Sequence, residues 1–306
     1  MSLIVKDLTK RFGAKTAVDS LNFTFTSPGV YGLIGTNGAG KTTTIRMILD
    51  MLPIDGGSAL WNGTTVKKSG LRYGYMPEER GIYTKTKVLD QLVYFGTLRG
   101  MRKAEAAQAA QDWMERLDVT EYANMPAEKL SKGNQQKIQL ISTLIHDPEL
   151  IFLDEPFSGL DPLNAQMFHD LIADMALAGK YIIMSSHQMS TVEQYCREIT
   201  LLHRGRAIVQ GDLKQIKRGY GHTKLVLGAN DEAYAMAERA GLRRIEKHPG
   251  ERVFSLPEQN ADAICEQLLR DLLDKNIFPE KFVLSEPTLH EIFIDKVGRE
   301  EGGDAQ

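Results

Sequence analysis

The sequence predicts an α/β protein built on a largely parallel sheet, followed by a small α+β module. Three observations lead there. Short apolar runs alternate with longer helical patterns through the first 217 or so residues; a glycine-rich turn joins one such run to the helix after it; and from about residue 218 the pattern changes to short strands with two helices. At 306 residues the chain is longer than a single core usually supports, which suits two domains, 1–217 and 218–306.

Taken in order, "GVYGLIG" (29–35) is an apolar run of strand length, and "KTTTIRMILDML" (41–52) has helical spacing and stops before Pro53. Residues from about 85 to 148 carry helical spacing in "DQLVYFGTLRG" and "AEAAQAAQDWMERL", so a helical insertion is expected there. "LIFLDEP" (150–156) and "YIIMSS" (181–186) are two further buried strands, and "RGRAIVQG" near 204 is a strand between turn residues. The polar, basic, glycine-ended "DLKQIKRGYG" is expected to be a linker. Beyond it, "HTKLVLG", "DEAYAMAERAG", "LRRIEKH", "ERVFSL", "ADAICEQLLRDLLDK" and "EKFVLSE" give β-α-β-β-α-β, the ferredoxin-like order. The tail "GREEGGDAQ" is expected to be disordered.

Composition excludes several classes. The net charge of −3 supplies no electrostatic footprint for nucleic acid, and none is expected as a partner. Cys196 and Cys265 stand far apart in no metal-like spacing, which fits a reducing compartment and two packing thiols. "MSLIVKDLTKRFG" lacks a basic head before a long apolar core, and no run of about eighteen apolar residues occurs, so the chain is expected neither to be exported nor to span a bilayer.

"GTNGAGKT" (Gly35, Thr36, Asn37, Gly38, Ala39, Gly40, Lys41, Thr42, with Thr43 behind them) fits G-x-x-x-x-G-K-[ST] and lies between a strand and a helix, the context a phosphate-binding loop needs. Its glycines let backbone N–H groups face a β-phosphate, and the helix start adds its positive dipole end. Lys41 suits the β- and γ-phosphates and Thr42 a Mg²⁺ ion. Asp154 and Glu155 end a buried strand, where ligands of open sheets collect. Asp154 suits an outer or water-mediated contact to Mg²⁺, and Glu155 suits the base that polarises an attacking water. His187 follows "YIIMSS" at the same sheet edge; alone it is more often structural.

In "LSKGNQQK", Ser131 can cap a helix whose apolar positions Ile138, Ile141, Leu144 and Ile145 follow. With Gly133 near its start and no acid in its first turn, that helix start is also an anion site. Which anion it takes does not follow from the residues alone.

The order "GTNGAGKT", "LSKGNQQK", "LIFLDEPFSGLDP", "SSH" resembles the ATP-binding cassette (ABC) ATPases, in their Walker A, signature, Walker B, D-loop and switch-histidine elements. The likeness covers about residues 1–215, and the remainder, with "EPTLHEIFIDKVG", resembles the appendage of the subfamily serving ABC-2-type exporters. It implies a P-loop NTPase core that binds ATP and Mg²⁺, pairs head to tail as a homodimer or with a related cassette, and drives a separate membrane permease. The chain would then be cytoplasmic, peripheral on the inner face of the cell membrane. Signature residues Ser131, Lys132, Gly133 and Asn134 would face the partner's γ-phosphate in trans, Asp161 would communicate between the sites, and His187 would hold the γ-phosphate and the attacking water. Phe12 stands where the family has an aromatic stacked on adenine.

The sequence also departs from the family. Glu78 of "YMPEERGIY" replaces the usual Gln of the loop leading into the insertion, and a carboxylate there ligates Mg²⁺ more strongly than an amide. Lys132 and Asn134 replace the commonest Gly and Gln; Lys132 either faces solvent or adds positive charge to the closed site. Thr36 replaces a frequent proline with little consequence. Two rival readings are a soluble ABC ATPase that remodels a nucleoprotein or other non-transport target, and a regulatory protein with a dead site. The single cassette without a heptad arm or basic stripe speaks against the first, and the presence of Lys41, Asp154, Glu155 and His187 against the second.

Overall fold

The computed structural model describes residues 1–79, 81–257 and 259–303, with side chains through Arg299. The chain divides into two compact units, Met1–Gly211 and Asp212–Gln306.

The first unit runs β1 (Leu3–Phe12), β2 (Lys15–Phe25), β3 (Gly29–Gly35), α1 (Lys41–Ile48), β4 (Gly56–Trp61), β5 (Tyr73–Met76), α2 (Val88–Leu98), α3 (Lys103–Arg116), α4 (Lys132–Leu144), β6 (Leu150–Asp154), α5 (Pro162–Leu177), β7 (Tyr181–Ser186), α6 (Met189–Tyr195), β8 (Glu198–His203) and β9 (Arg206–Asp212). Six strands form the main sheet in the order β5-β6-β7-β3-β8-β9. The pairs β5–β6, β6–β7, β7–β3 and β3–β8 are parallel, and every residue of β6 and β7 is buried, as expected of strands covered on both faces. Register then positions chemistry: Asp154 pairs with Ser185 and Ile34 with Ser186, so Gly35, Glu155 and His187 leave the sheet at one edge.

A separate antiparallel sheet, β2-β1-β4, was not signalled by the sequence. It shares a core with the main sheet: Phe25 and Trp61 meet the Tyr181 ring edge-on, with centroids 5.3 and 5.0 Å apart. Its β1–β2 turn carries Phe12.

Helix α1 ends earlier than the expected residue 52. Asp50 adopts φ +54°, and the N–H groups of Met51 and Leu52 both return to the Arg46 carbonyl.

The second unit contains α7 (Leu213–Tyr220), β10 (Lys224–Gly228), α8 (Asp231–Arg239), β11 (Arg243–His248), β12 (Glu251–Ser255), α9 (Ala261–Asp274), β13 (Lys281–Ser285) and α10 (Leu289–Gly303). Its sheet is antiparallel in the order β11-β12-β10-β13, the ferredoxin-like arrangement, over a core including Leu225, Phe254 and Leu268. The segment expected to be a linker is helix α7, begun by the Asp212 carboxylate accepting from the Gln215 N–H at 3.0 Å. This helix falls in the second unit, which therefore starts ahead of the expected residue 218. The tail expected to be disordered is helical to Gly303, with an Arg299–Asp295 bond one turn apart; residues 304–306 lie outside the described residues. Both cysteines are buried and free, and burial pushes the Cys265 thiol up to about 11, so neither presents a ready thiolate.

Candidate functional site

The phosphate loop leaves β3 at Gly35 and enters α1 at Lys41. Gly38 and Gly40 take φ +80° and +106°, where a side chain is strained, and a Cβ on Gly40 would stand 2.6 Å from the Ala17 carbonyl oxygen. The sequence thus spends its glycines where the loop turns tightly against β2. No acid occupies the first turn of α1, which leaves its positive end open to an anion.

Lys41 is 6% exposed. Its Nζ donates to the carbonyls of Gly35 at 2.8 Å and Thr36 at 3.3 Å, and lies 3.2 Å from Glu155 Oε1. Glu155 is buried as well and holds φ +51°, an uncommon conformation for a non-glycine residue and a form of strain that gathers at functional sites. Two contacts from Ser185 fix it: the Glu155 N–H donates to the Ser185 carbonyl (3.2 Å) and to its hydroxyl (3.0 Å). That hydroxyl donates in turn to Asp154 Oδ1 at 2.5 Å, and the Thr42 hydroxyl donates to the same oxygen at 3.1 Å. Oδ2 of Asp154 is fully buried without a hydrogen-bond partner among the described residues. His187 Nδ1 stands 2.8 Å from Glu155 Oε2, with the ring partly open to solvent.

A cleft of about 450 Å³ opens onto part of this set, lined by Phe12 and Lys15 of the β1–β2 turn, by Asn37, Gly38, Gly40, Lys41, Thr42 and Thr43, and by Glu78 and Glu155; Asp154 and His187 are not among its lining residues. Phe12 is 52% exposed with the Lys10 ammonium over its ring, so it is not a core residue. Gly35 and Thr36 contribute through the carbonyls that hold Lys41, while Ala39 is buried and its N–H donates to the Thr36 carbonyl.

The signature residues stand apart from that cleft. Ser131 caps α4 by accepting from the Asn134 N–H at 3.3 Å, and the first turn of the helix holds no acid. Gly133 faces α5: a Cβ there would meet Asn164 Nδ2 at 2.8 Å and Asp161 Oδ2 at 3.8 Å. Asp161 caps α5, accepting from the Asn164 N–H at 3.0 Å and its side-chain amide at 2.5 Å, and these bonds hold its carboxyl below the usual range. Lys132 lines a smaller cleft of about 220 Å³ with Glu78, Gln136, Glu155 and Ser158. Sequence reasoning missed Ser185, Asn164 and Gln136. The last donates from its amide to the Pro156 carbonyl at 2.6 Å, tying the signature helix to the loop after Glu155.

A parallel main sheet whose chain connections leave β3 and β8 towards opposite edges, a phosphate loop leaving β3 and an acid pair at the end of β6 define a P-loop ATPase of the cassette type. Residues 18–158 match the family described as ABC transporter, and residues 211–297 match the C-terminal domain of DrrA1-3-like ATP-binding proteins. The ABC transporter ATP-binding protein YhaQ of Bacillus subtilis is 43% identical over 305 residues, covering 97% of this chain and 98% of that protein. The Nod factor export ATP-binding protein I of Ralstonia nicotianae is 29% identical over 304 residues, covering 97% and 94%. A solved ATP-binding subunit of an ABC transporter superposes with a TM-score of 0.66 at 28% identity, over 72% of this chain and 94% of that one. The chain belongs to the ATP-binding proteins of ABC transporters, and it is an ATPase that binds ATP. Proteins of this family dimerise and work with membrane permease subunits. Among the described residues no helix is long and apolar enough to cross a membrane.

Proposed function

We propose that this chain is the ATP-hydrolysing subunit of an exporter whose permease is a separate membrane protein of the ABC-2 type, and that it works on the inner face of the cell membrane, held there by that permease. The DrrA1-3-like C-terminal module and the likeness to an export ATP-binding protein support the exporter reading. The chemistry rests on one observation: a line from buried Lys41 and Glu155 out to the solvent-exposed His187, beside a Thr42–Asp154 pair with a free carboxylate oxygen.

ATP phosphates lie along the loop amides, with Lys41 turned from its carbonyls to the β- and γ-phosphates and adenine against the exposed ring of Phe12. Thr42, Asp154 and Glu78 would hold a Mg²⁺ ion, which neutralises phosphate charge. The fully buried, unpartnered Asp154 Oδ2 fits that ion, as does a donor set of one hydroxyl and carboxylates that leaves positions for phosphate and water. Glu155 accepts the proton of the attacking water; His187, hydrogen-bonded to it, orients that carboxylate and meets the γ-phosphate. Ser131 and Gly133, at a helix start without an acid, close on the ATP of a second cassette, the same chain or a related one, and Asp161 joins the two sites.

Closure favours the ATP-bound dimer because ATP contacts both cassettes only in that state. The permease seats in a cleft of about 560 Å³ lined by Arg46, Met51, Tyr75, Phe95, Leu98 and Arg99, where Met51 and Leu98 are largely exposed. The test is ATP turnover in the reconstituted complex with its permease. Glu155→Gln is expected to abolish turnover and transport together while ATP still binds; transport that persists without turnover overturns the proposal.

A further inference from the structure

The nucleotide cleft carries a cation that the hydrolytic chemistry leaves unused. Lys15 lines it beside Phe12 and Ala17, is exposed, and has no ion pair among the described residues. Its place follows from the β1–β2 hairpin. Phe12 and Lys15 stand opposite each other in the antiparallel register, across a two-residue turn in which Gly13 takes φ +58°, so their side chains leave one face of the ribbon. Two residues further, about 7 Å along the strand, the chain reaches the phosphate loop, where the Ala17 carbonyl oxygen lies 2.6 Å from the position of a Cβ built on Gly40. The hairpin therefore runs from the Phe12 ring to the loop, with Lys15 at the ring end. Charge decides what Lys15 meets there. The cleft is lined by two lysines and two glutamates; Lys41 is buried against Glu155, which leaves Lys15 as the exposed cation of the four. Loop amides and Lys41 suit the β- and γ-phosphates, so the α-phosphate, the anion nearest the base, is the one without a side-chain cation. An ammonium on a flexible stem pairs with such an anion as a point charge.

We propose that Lys15 binds the α-phosphate of ATP and thereby sets affinity for the nucleotide rather than the rate of its hydrolysis. The α-phosphate keeps its charge while the γ-phosphate is transferred, so this contact is equal in ground and transition states and acts on KM. The placement rests on the proposed stacking of adenine on Phe12, and the experiment separates the two. Dissociation constants of ATP, ADP and 2′-deoxy-ATP are measured on the full-length protein with Mg²⁺ withheld, so that nothing is hydrolysed, and KM and kcat with Mg²⁺ present. Lys15→Met is expected to weaken all three nucleotides about fivefold and to raise KM by the same factor, with kcat within about twofold of the parent value. Lys15→Arg is expected to restore affinity, and Lys214→Met, at an exposed lysine of the second unit, to change nothing. The gap between parent and Lys15→Met is expected to shrink as salt rises from about 0.05 to about 0.5 M. Phe12→Ala reads the adenine placement alone: if it leaves affinity intact while Lys15→Met lowers it for all three nucleotides, the stacking fails and the Lys15 contact stands. Unchanged affinity in Lys15→Met, a loss confined to ATP, which places the contact at the γ-phosphate, a loss absent with 2′-deoxy-ATP, which places it at the sugar, a fall in kcat at constant KM, or equal weakening by Lys214→Met overturns the proposal.

Discussion

His187 Nδ1 lies 2.8 Å from Glu155 Oε2, and the His187 backbone N–H reaches the same oxygen at 3.3 Å. The other Glu155 oxygen lies 3.2 Å from Lys41 Nζ, a charge contact without a hydrogen bond, so His187 supplies the hydrogen bonds that orient the carboxylate. We predict that His187→Ala lowers the ATP turnover rate by about 10²–10⁴ with little change in ATP affinity, measured by steady-state hydrolysis and nucleotide binding. A drop in affinity of the same size would mean that His187 serves binding instead.

Ser185 connects the two acids, donating to Asp154 and accepting from the Glu155 N–H inside a fully buried strand. Ser185→Ala leaves both partners short of a bond. The expected cost is about 1–3 kcal/mol of unfolding free energy in urea, with a higher Mg²⁺ concentration needed for half-maximal hydrolysis. Unchanged stability and Mg²⁺ dependence would contradict this geometry.

Glu78 and Lys132, two of the departures from the family pattern, line one cleft with Glu155. Opposite charges sharing a cleft with a third charge couple, so their effects on hydrolysis are predicted to be non-additive by about 0.5–1 kcal/mol, and Glu78→Gln to flatten the Mg²⁺ dependence. Turnover of Glu78→Gln, Lys132→Gln and the double variant across a Mg²⁺ series measures both. Strict additivity with an unaltered Mg²⁺ curve rules the coupling out.

His146 is buried between α4 and β6 with Nε2 3.0 Å from the Tyr73 carbonyl, so Nε2 carries the proton, and Nδ1 has no partner among the described residues. Burial lowers its pKa despite that bond. The unfolded chain therefore binds a proton that the folded one refuses, and stability rises with pH. It is complete above about 6.5, the unfolded value, and falls as pH drops below it toward the folded pKa. Urea midpoints between pH 7.5 and 5.5 are expected to decline less in His146→Gln than in the parent protein; parallel declines would refute the assignment.

How far the sequence could be read depends on how local each signal is. The strands β3, β6 and β7 are buried on both faces, so they stand out as continuous apolar runs, and the phosphate loop announces itself by glycines that its backbone angles demand. Strand β1 does not announce itself: register shifts between Val5 and Leu8 and again before Lys10 break the alternation that marks a half-buried strand. Helix α7 was hidden because its basic, glycine-ended composition outweighs the single capping bond of Asp212. Ser185 and Asn164 were invisible for a different reason: Ser185 owes its role to Asp154 on another strand, and Asn164, though bonded locally to Asp161, comes to the start of α4 only through the packing of α5 beside Gly133. Phe12, Glu78 and Glu155 meet in one cleft only because the β1–β2 turn, β5 and β6 end at one edge, a fact of topology rather than of spacing.

With Glu155 as the base, ATP joins two cassettes through the starts of their α4 helices, and the two roles are tested together. The direct measurement is the mass of Glu155→Gln in solution, by light scattering, with and without ATP and Mg²⁺. A nucleotide-dependent dimer is predicted, stable because hydrolysis no longer reopens it, and returned to monomer by a second change, Ser131→Arg, at the cap of α4. A Glu155→Gln protein that stays monomeric under every nucleotide condition, or a dimer indifferent to Ser131→Arg, would rule out ATP as the link between two cassettes.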